Sequence, residues 1–292
     1  GDPDQLVTPF EGIRDAFGGT VVTEREVAGN EAKLKDADVI VVVGAYYFAD
    51  LARSPSGEEG EWKDRKSMEL PTRDRENIAN ALKLRAQNSK LQVIVVAKSG
   101  GAIVGEWIDD VGGLIMAWYG GMQEGTALAE ILFGKVNPSG KTCQSFPQKE
   151  SDLPAFDTTT TGDVKYDYYH GYRWLDKKSK AARYPFGFGL SYTTFEYSNL
   201  KVDKESVAAD GELTVTVDVK NTGSVAGTEV VQLYVGFDNT SLKDTWGRPV
   251  KELKAFARLA DLAPGATATA TLKVKAKDLG YWDTAAKSWT VE

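Results

Sequence analysis

The chain has 292 residues, 42% hydrophobic and 26% charged, which is enough to bury a core and to form two domains. A formal charge of −7 with no dense basic run argues against a nucleic-acid or anionic-membrane partner. A single cysteine, Cys143, and a single histidine, His170, exclude a disulfide within the chain and leave almost no ligands for a transition-metal site. No apolar run approaches the ~20 residues that span a bilayer.

In chain order, Thr8 to Phe17 reads as a short helix with Pro9 in its first turn, followed by a strand at Thr20-Val21-Val22. Glu31 to Lys35 is a brief helical turn. Ala37 to Gly44 is a continuous β-branched run, the pattern of a strand covered on both faces. Pro71 to Asn88 is an amphipathic helix with Ile78, Ala81, Leu82 and Leu84 on its apolar side. Strands at Leu91–Ala97 and Leu114–Trp118 and a helix at about Gln123–Phe133 complete a βαβαβα order, which predicts a mostly parallel sheet between helices.

Residues 135–195 lose this rhythm, and their regular elements are hard to place. From about Phe195 the pattern becomes alternating strands, at Leu213–Val219, Val230–Val235, Leu253–Leu259 and Thr267–Val274. Gly/Pro turns between them predict a small β-sandwich. The expected fold class is therefore α/β, followed by an all-β immunoglobulin-like sandwich. The boundaries are 1–150 for the α/β domain, 151–195 for a packed linker and 196–292 for the sandwich.

The segment 57–71 carries the chemistry. Glu58, Glu59 and Glu61 fall within four residues, followed by Trp62, Asp64 and Arg65. Like charges this close resist joint ionisation, so at least one of them can hold its proton near neutral pH. A protonated carboxyl beside an aromatic wall is what a general acid for glycoside cleavage requires. A solvated acidic loop is the competing reading. The run follows the first strand's C-terminal end, and open α/β sheets bind ligands beyond such ends.

Several motifs resemble the C-terminal part of glycoside hydrolase family 3, the β-glucosidase family. The acidic run ahead of Leu70-Pro71 is similar to the family's Glu-Gly-x-Asp-Arg segment. Gly120-Gly121-Met122-Gln123-Glu124-Gly125 resembles its glycine-rich turn into a helix, and Phe133-Gly134 through Asn137-Pro138-Ser139-Gly140-Lys141 matches a further motif. Gly171-Tyr172-Arg173-Trp174 and Tyr184 to Phe195 follow the family form. Val219 to Gly223, Glu229 to Tyr234 and Arg248 to Leu253 are similar to its fibronectin type III-like domain.

The resemblance implies a retaining double displacement, in which one carboxylate attacks the anomeric carbon while a carboxylic acid protonates the departing oxygen. The family's nucleophile is an Asp on a preceding (β/α)8 barrel, which this chain does not contain. The acid/base Glu maps onto the acidic run. Counting back from Asp64-Arg65 selects Glu61, aligning on Glu-Gly selects Glu59, and Glu58 is the third candidate.

The family form also has a strand and a Gly-Gly-Trp region not found before Thr8, and a final strand beyond Trp289-Thr290-Val291-Glu292. The expected partners are thus a barrel on a separate or missing polypeptide and a carbohydrate substrate, with pairing to a second copy left open. The resemblance further implies a β-glucoside or short gluco-oligosaccharide substrate cut from its non-reducing end, no need of a cofactor or metal, and no activity for the chain alone. A β-xylosidase-type specificity and a non-catalytic assembly module are the alternatives. The opening Gly-Asp-Pro-Asp-Gln-Leu shows no signal-peptide pattern, while family analogy favours a periplasmic or secreted location over the cytoplasm.

Around the acid, Asp64 and Arg65 read as an ion pair that structures the loop, with a role as catalytic auxiliaries as the other reading. Trp62 either stacks on a sugar or covers the sheet edge. Trp118 and Tyr119 are candidate cleft walls, with core packing as the other reading for Trp118. His170, the only histidine, reads as structural or as a rim residue, and Arg173 as a brace for the linker. The glycines at 120–125 do not form a phosphate cradle, because no Gly-Lys-Ser/Thr follows.

Overall fold

The computed structural model describes residues 6–46, 65–155, 168–237, 240, 242 and 247–292. The chain divides into two compact units. One comprises Gly1–Val136 with Phe146–Val164, and the other Asn137–Ser145 with Lys165–Glu292.

In the first unit, helix α1 (Pro9–Ala16) starts on a capping box. Thr8 Oγ1 accepts from the Glu11 amide at 3.3 Å, and Glu11 Oε2 accepts from the Thr8 amide at 2.9 Å. These Thr8 hydrogen bonds, the backbone one first, hold the Glu11 carboxyl below 4.5. A single helical turn, α2 (Glu31–Leu34), precedes the sheet. No strand forms at 20–22, contrary to expectation: those β-branched residues meet no ladder partner among the described residues, and Val22 is left exposed.

Strands β1 (Val39–Ala45), β2 (Gln92–Lys98) and β3 (Gly113–Met116) form a parallel sheet in that order, with Val41 opposite Ile94 and Val96 opposite Ile115. The central strand is the dry one, with Val93, Val95, Val96 and Ala97 fully buried. Its two-sided burial explains the unbroken apolar run. In β1 the buried Ile40 and Val42 alternate with half-buried Val41 and Val43.

Helix α3 (Thr72–Gln87) packs on β1 and β2 and buries Ile78, Ala81 and Leu84, while Leu82 is half-buried. The β2–β3 crossover holds only a 3-10 turn, Glu106–Asp109, where the βαβ rhythm suggested a helix. Gly100, Gly101, Gly105 and Gly112 deplete that stretch of helix formers. Helix α4 (Glu124–Leu132) crosses α1 where two glycines meet. A Cβ on Gly12 would overlap the Gly125 carbonyl, and one on Gly125 would overlap the Thr8 carbonyl.

The stretch without a readable rhythm contains the short strand β4 (Phe146–Pro147), helix α5 (Gly171–Lys177) and strand β5 (Ala182–Tyr184). In the second unit, β6 (Phe195–Val202), β7 (Glu212–Asn221) and β10 (Thr267–Lys275) form an antiparallel sheet ordered β10-β7-β6. Strands β8 (Gly227–Gly236) and β9 (Lys251–Leu262) form a second pair, and β11 (Tyr281–Asp283) and β12 (Ser288–Thr290) a hairpin. The sheets enclose Val215, Val217, Val219, Val231, Leu262, Ala270 and Leu272. A register shift interrupts β6 against β7 between Ser198 and Lys201; there Asn199 adopts φ +54° and donates to Asp218 at 2.8 Å.

Asn221 is fully buried at the end of β7. Its side chain accepts from the Thr193 hydroxyl (2.6 Å) and the Gly223 amide (3.0 Å), and donates to the Val225 and Leu262 carbonyls (both 2.8 Å). Asn137 acts in a similar way, donating to the Ala226 carbonyl and accepting from Ser191 and the Tyr192 amide. The Asn-Pro-Ser-Gly stretch is therefore a clamp, through its asparagine.

A buried carboxylate on β9 gathers several donors. Glu252 receives Arg173 at 2.9 Å, Lys254 at 3.0 Å and the Tyr168 hydroxyl at 3.0 Å. Burial pushes the Glu252 carboxyl up, but Lys254, Tyr168 and Arg173 together outweigh it and hold it below 4.5. Burial, then the Glu252 charge, pushes the Tyr168 phenol up to about 12.

Two consequences are measurable. Asn221→Ala strands the buried Leu262 carbonyl, the Val225 carbonyl, an amide and a hydroxyl, and should cost about 3 kcal/mol in urea unfolding. Glu252, with its folded pKa depressed, contributes stability that is fully present above pH 4.5 and is lost as pH falls through the lower folded value. Melting temperature should therefore drop below pH 4.5, and Glu252→Gln should flatten that acid limb.

Candidate functional site at the carboxyl ends of the parallel strands

Because β1, β2 and β3 run parallel, Tyr46, Ser99 and Ala117 each follow a strand at the same end of the sheet. Asp74, on the first turn of α3, is buried at this end, and its Oδ2 accepts from the Ala45 amide at 2.9 Å. Its other oxygen takes Arg73 at 3.1 Å. One side chain thus satisfies the last amide of β1 and ties helix to strand.

Of the residues singled out in the sequence, Glu58, Glu59, Glu61, Trp62 and Asp64 lie outside the described residues. Arg65, the first described residue after them, is well placed. Its guanidinium lies over the Tyr46 ring at 5.5 Å and donates to Ser99 Oγ at 3.0 Å. Ser99 is fully buried, and its hydroxyl also donates to the Gly101 carbonyl at 3.0 Å. A Cβ on Gly101 would run into the guanidinium.

The chain beyond Arg65 is fixed residue by residue. The buried Tyr46 hydroxyl faces the Ser67 carbonyl at 3.0 Å and also the Glu69 carbonyl. Glu150 Oε2 accepts from Ser67 Oγ (3.1 Å) and the Met68 amide (3.2 Å), and the Val104 amide donates to the Met68 carbonyl at 3.0 Å. Glu69 pairs with Arg75 at 3.0 Å, and Leu70 is buried ahead of α3.

Trp118 follows β3 with φ +54°, a region that bulky L-residues rarely adopt. It is half-buried, edge-on to the buried Phe146 at 6.4 Å between ring centroids. Tyr119 is 57% exposed, so the two neighbours differ in environment. Lys98, at the end of β2, pairs with Glu124 at the start of α4 at 2.5 Å, linking the central strand to the glycine-rich turn. His170 is exposed, and Arg173 holds Glu252. Among the described residues, no cluster of three His, Cys, Asp or Glu could hold a metal ion, and no helix is long and apolar enough to cross a membrane.

Sequence reading missed Tyr46, Asp74, Lys98, Ser99 and Gly101. The available signals were a Tyr directly after the Gly-Ala that ends the first strand and a Ser-Gly-Gly directly after the second.

A parallel α/β unit with an acidic run beyond its first strand, followed by an antiparallel β-rich unit, defines a recognisable class of polypeptide. Residues 1–192 match the family model of the glycosyl hydrolase family 3 C-terminal domain, and residues 229–292 that of the fibronectin type III-like domain. The chain belongs to glycosyl hydrolase family 3 through that C-terminal region.

It is 39% identical to a beta-glucosidase of Rhizobium radiobacter over 96% of this chain and 34% of the relative. It is 38% identical to thermostable beta-glucosidase B of Acetivibrio thermocellus over 90% of this chain and 33% of that protein. Its fold is similar to the crystal structure of beta-D-glucoside glucohydrolase from Trichoderma reesei (TM-score 0.82, 29% identity), covering 98% of this chain and 42% of the other. The chain spans about a third of the length of the curated relatives it matches.

Removing the strand-end cap should be costly: Asp74→Ala leaves a buried amide unpaired and should lower unfolding free energy by about 1–3 kcal/mol. Asp74→Asn, which keeps an acceptor, should lose less in the same urea titration.

Proposed function

We propose that this chain supplies the proton donor of a retaining β-glucosidase, with the carboxylate nucleophile provided by a (β/α)8 barrel. The observation that carries the reading is its 39% identity to a beta-glucosidase along almost its whole length, together with an acidic run that begins beyond the carboxyl end of β1. Glu61, or failing it Glu59 or Glu58, gives its proton to the leaving glycosidic oxygen as the C–O bond breaks. The barrel carboxylate forms the new bond to the anomeric carbon. Water then attacks that carbon, the same Glu takes the water's proton, and glucose leaves with its configuration retained.

In this reading Trp62, Trp118 and Tyr119 contact the sugar or its leaving group, and Asp64 and Arg65 shape the loop. The chain alone is inactive, because one carboxyl cannot complete a two-step displacement.

The test uses the chain together with a family 3 barrel and replaces the three Glu residues one at a time by Ala. With an activated aryl glucoside, the variant lacking the acid/base should lose water-dependent turnover and regain it in azide as a glycosyl azide. If all three variants keep full activity, the chain is an accessory module and the proposal fails. Faster turnover of aryl xylosides than of aryl glucosides would move the specificity, not the role.

A further inference from the structure

We infer that Tyr46, Ser99 and Gly101 form a seat for Arg65 that positions the proton donor, an inference that rests on the acid/base reading above. Arg65 sits four residues after Glu61 and one after Asp64, at the start of the stretch that leads into α3. The seat is built rather than incidental. Tyr46 is only 5% exposed and presents its ring to the guanidinium, while its hydroxyl holds the carbonyls at 67 and 69. Ser99 is fully buried and presents its hydroxyl oxygen to Arg65 Nη1 and to the Gly101 amide. Gly101 leaves its Cβ position to the guanidinium.

Two separate stretches thus converge on one planar cation: the residue directly after β1 and the turn after β2. A Lys would not serve, since an ammonium lacks the flat fork that both stacks on the ring and reaches Ser99. Proton donation tolerates little displacement, because the carboxyl must reach the leaving oxygen within hydrogen-bond distance. These are positioning residues, acting through Arg65 and touching no substrate.

Leaving groups that need protonation report on the donor, and leaving groups that do not need it serve as the internal control. In the same barrel-complemented enzyme, Ser99→Ala, Gly101→Ala and Arg65→Lys should lower kcat/KM for methyl β-glucoside about tenfold and for 2,4-dinitrophenyl β-glucoside by less than about twofold. Should Gly101→Ala fail to fold, Ser99→Ala, which only deletes an oxygen, carries the test. Equal losses on both substrates, or no loss on either, would overturn the inference. If the Glu variants show the leaving-group split and the seat variants do not, the seat alone is wrong. If the Glu variants show no split either, the proton-donor reading falls and takes the seat with it.

Discussion

The carboxyl end of a parallel strand is where the backbone's hydrogen-bonding order runs out, and the first unit depends on how that end is closed. Asp74 closes it for β1 by accepting the Ala45 amide from within a buried site. Its position on the first turn of α3 couples strand and helix through one carboxylate. The stretch at 67–69, downstream of the acidic run, is then held by polar contacts: Tyr46 to the carbonyls at 67 and 69, Glu150 to Ser67 and Met68, and Val104 to Met68. A rigid frame of this kind is what a site assembled on loops needs, since preorganised groups lose less on binding than mobile ones.

The second unit solves its own closure differently, through side-chain amides in place of a buried acid. Asn221 uses both ends of its side chain, so a single residue joins the end of β7, the following turn, the end of β9 and the approach to β6. Asn137 repeats the device on the loop at 189–192. Amides suit these places because they donate and accept at once, without the desolvation cost of a charge. Glu252 is the exception, a buried carboxylate kept ionised by two cations and a phenol.

Much of this was legible in the sequence, for physical reasons. The strand at 91–97 read correctly because two-sided burial demands an unbroken apolar run, and the run at 37–44 because alternate positions are buried and those between are half-covered. Alternation fixed the four sandwich strands from 213 to 274. Thr20-Val21-Val22 misled because propensity without a neighbouring edge makes no strand. Helix α5 stayed hidden because Gly171, Tyr172 and Trp174 are weak helix formers, and its contacts, such as Arg173 to Glu252, span long stretches of chain. At the site, composition pointed to the acidic run, but the seat around Arg65 could not be read, since Tyr46, Ser99 and Gly101 come together only once the sheet has formed. Family motifs led to the Asn137 and Asn221 segments, without revealing that both side chains are clamps.

The break in β6 bears on how the protein behaves when concentrated. In the described residues β6 is the outer strand of its sheet, the position from which one molecule can recruit another by continuing the ladder. The left-handed Asn199 and its bond to Asp218 bend that border out of register. A second chain approaching it would find no straight row of amides and carbonyls to continue, which guards the unit against fibrillar self-assembly without removing a single apolar side chain from its core.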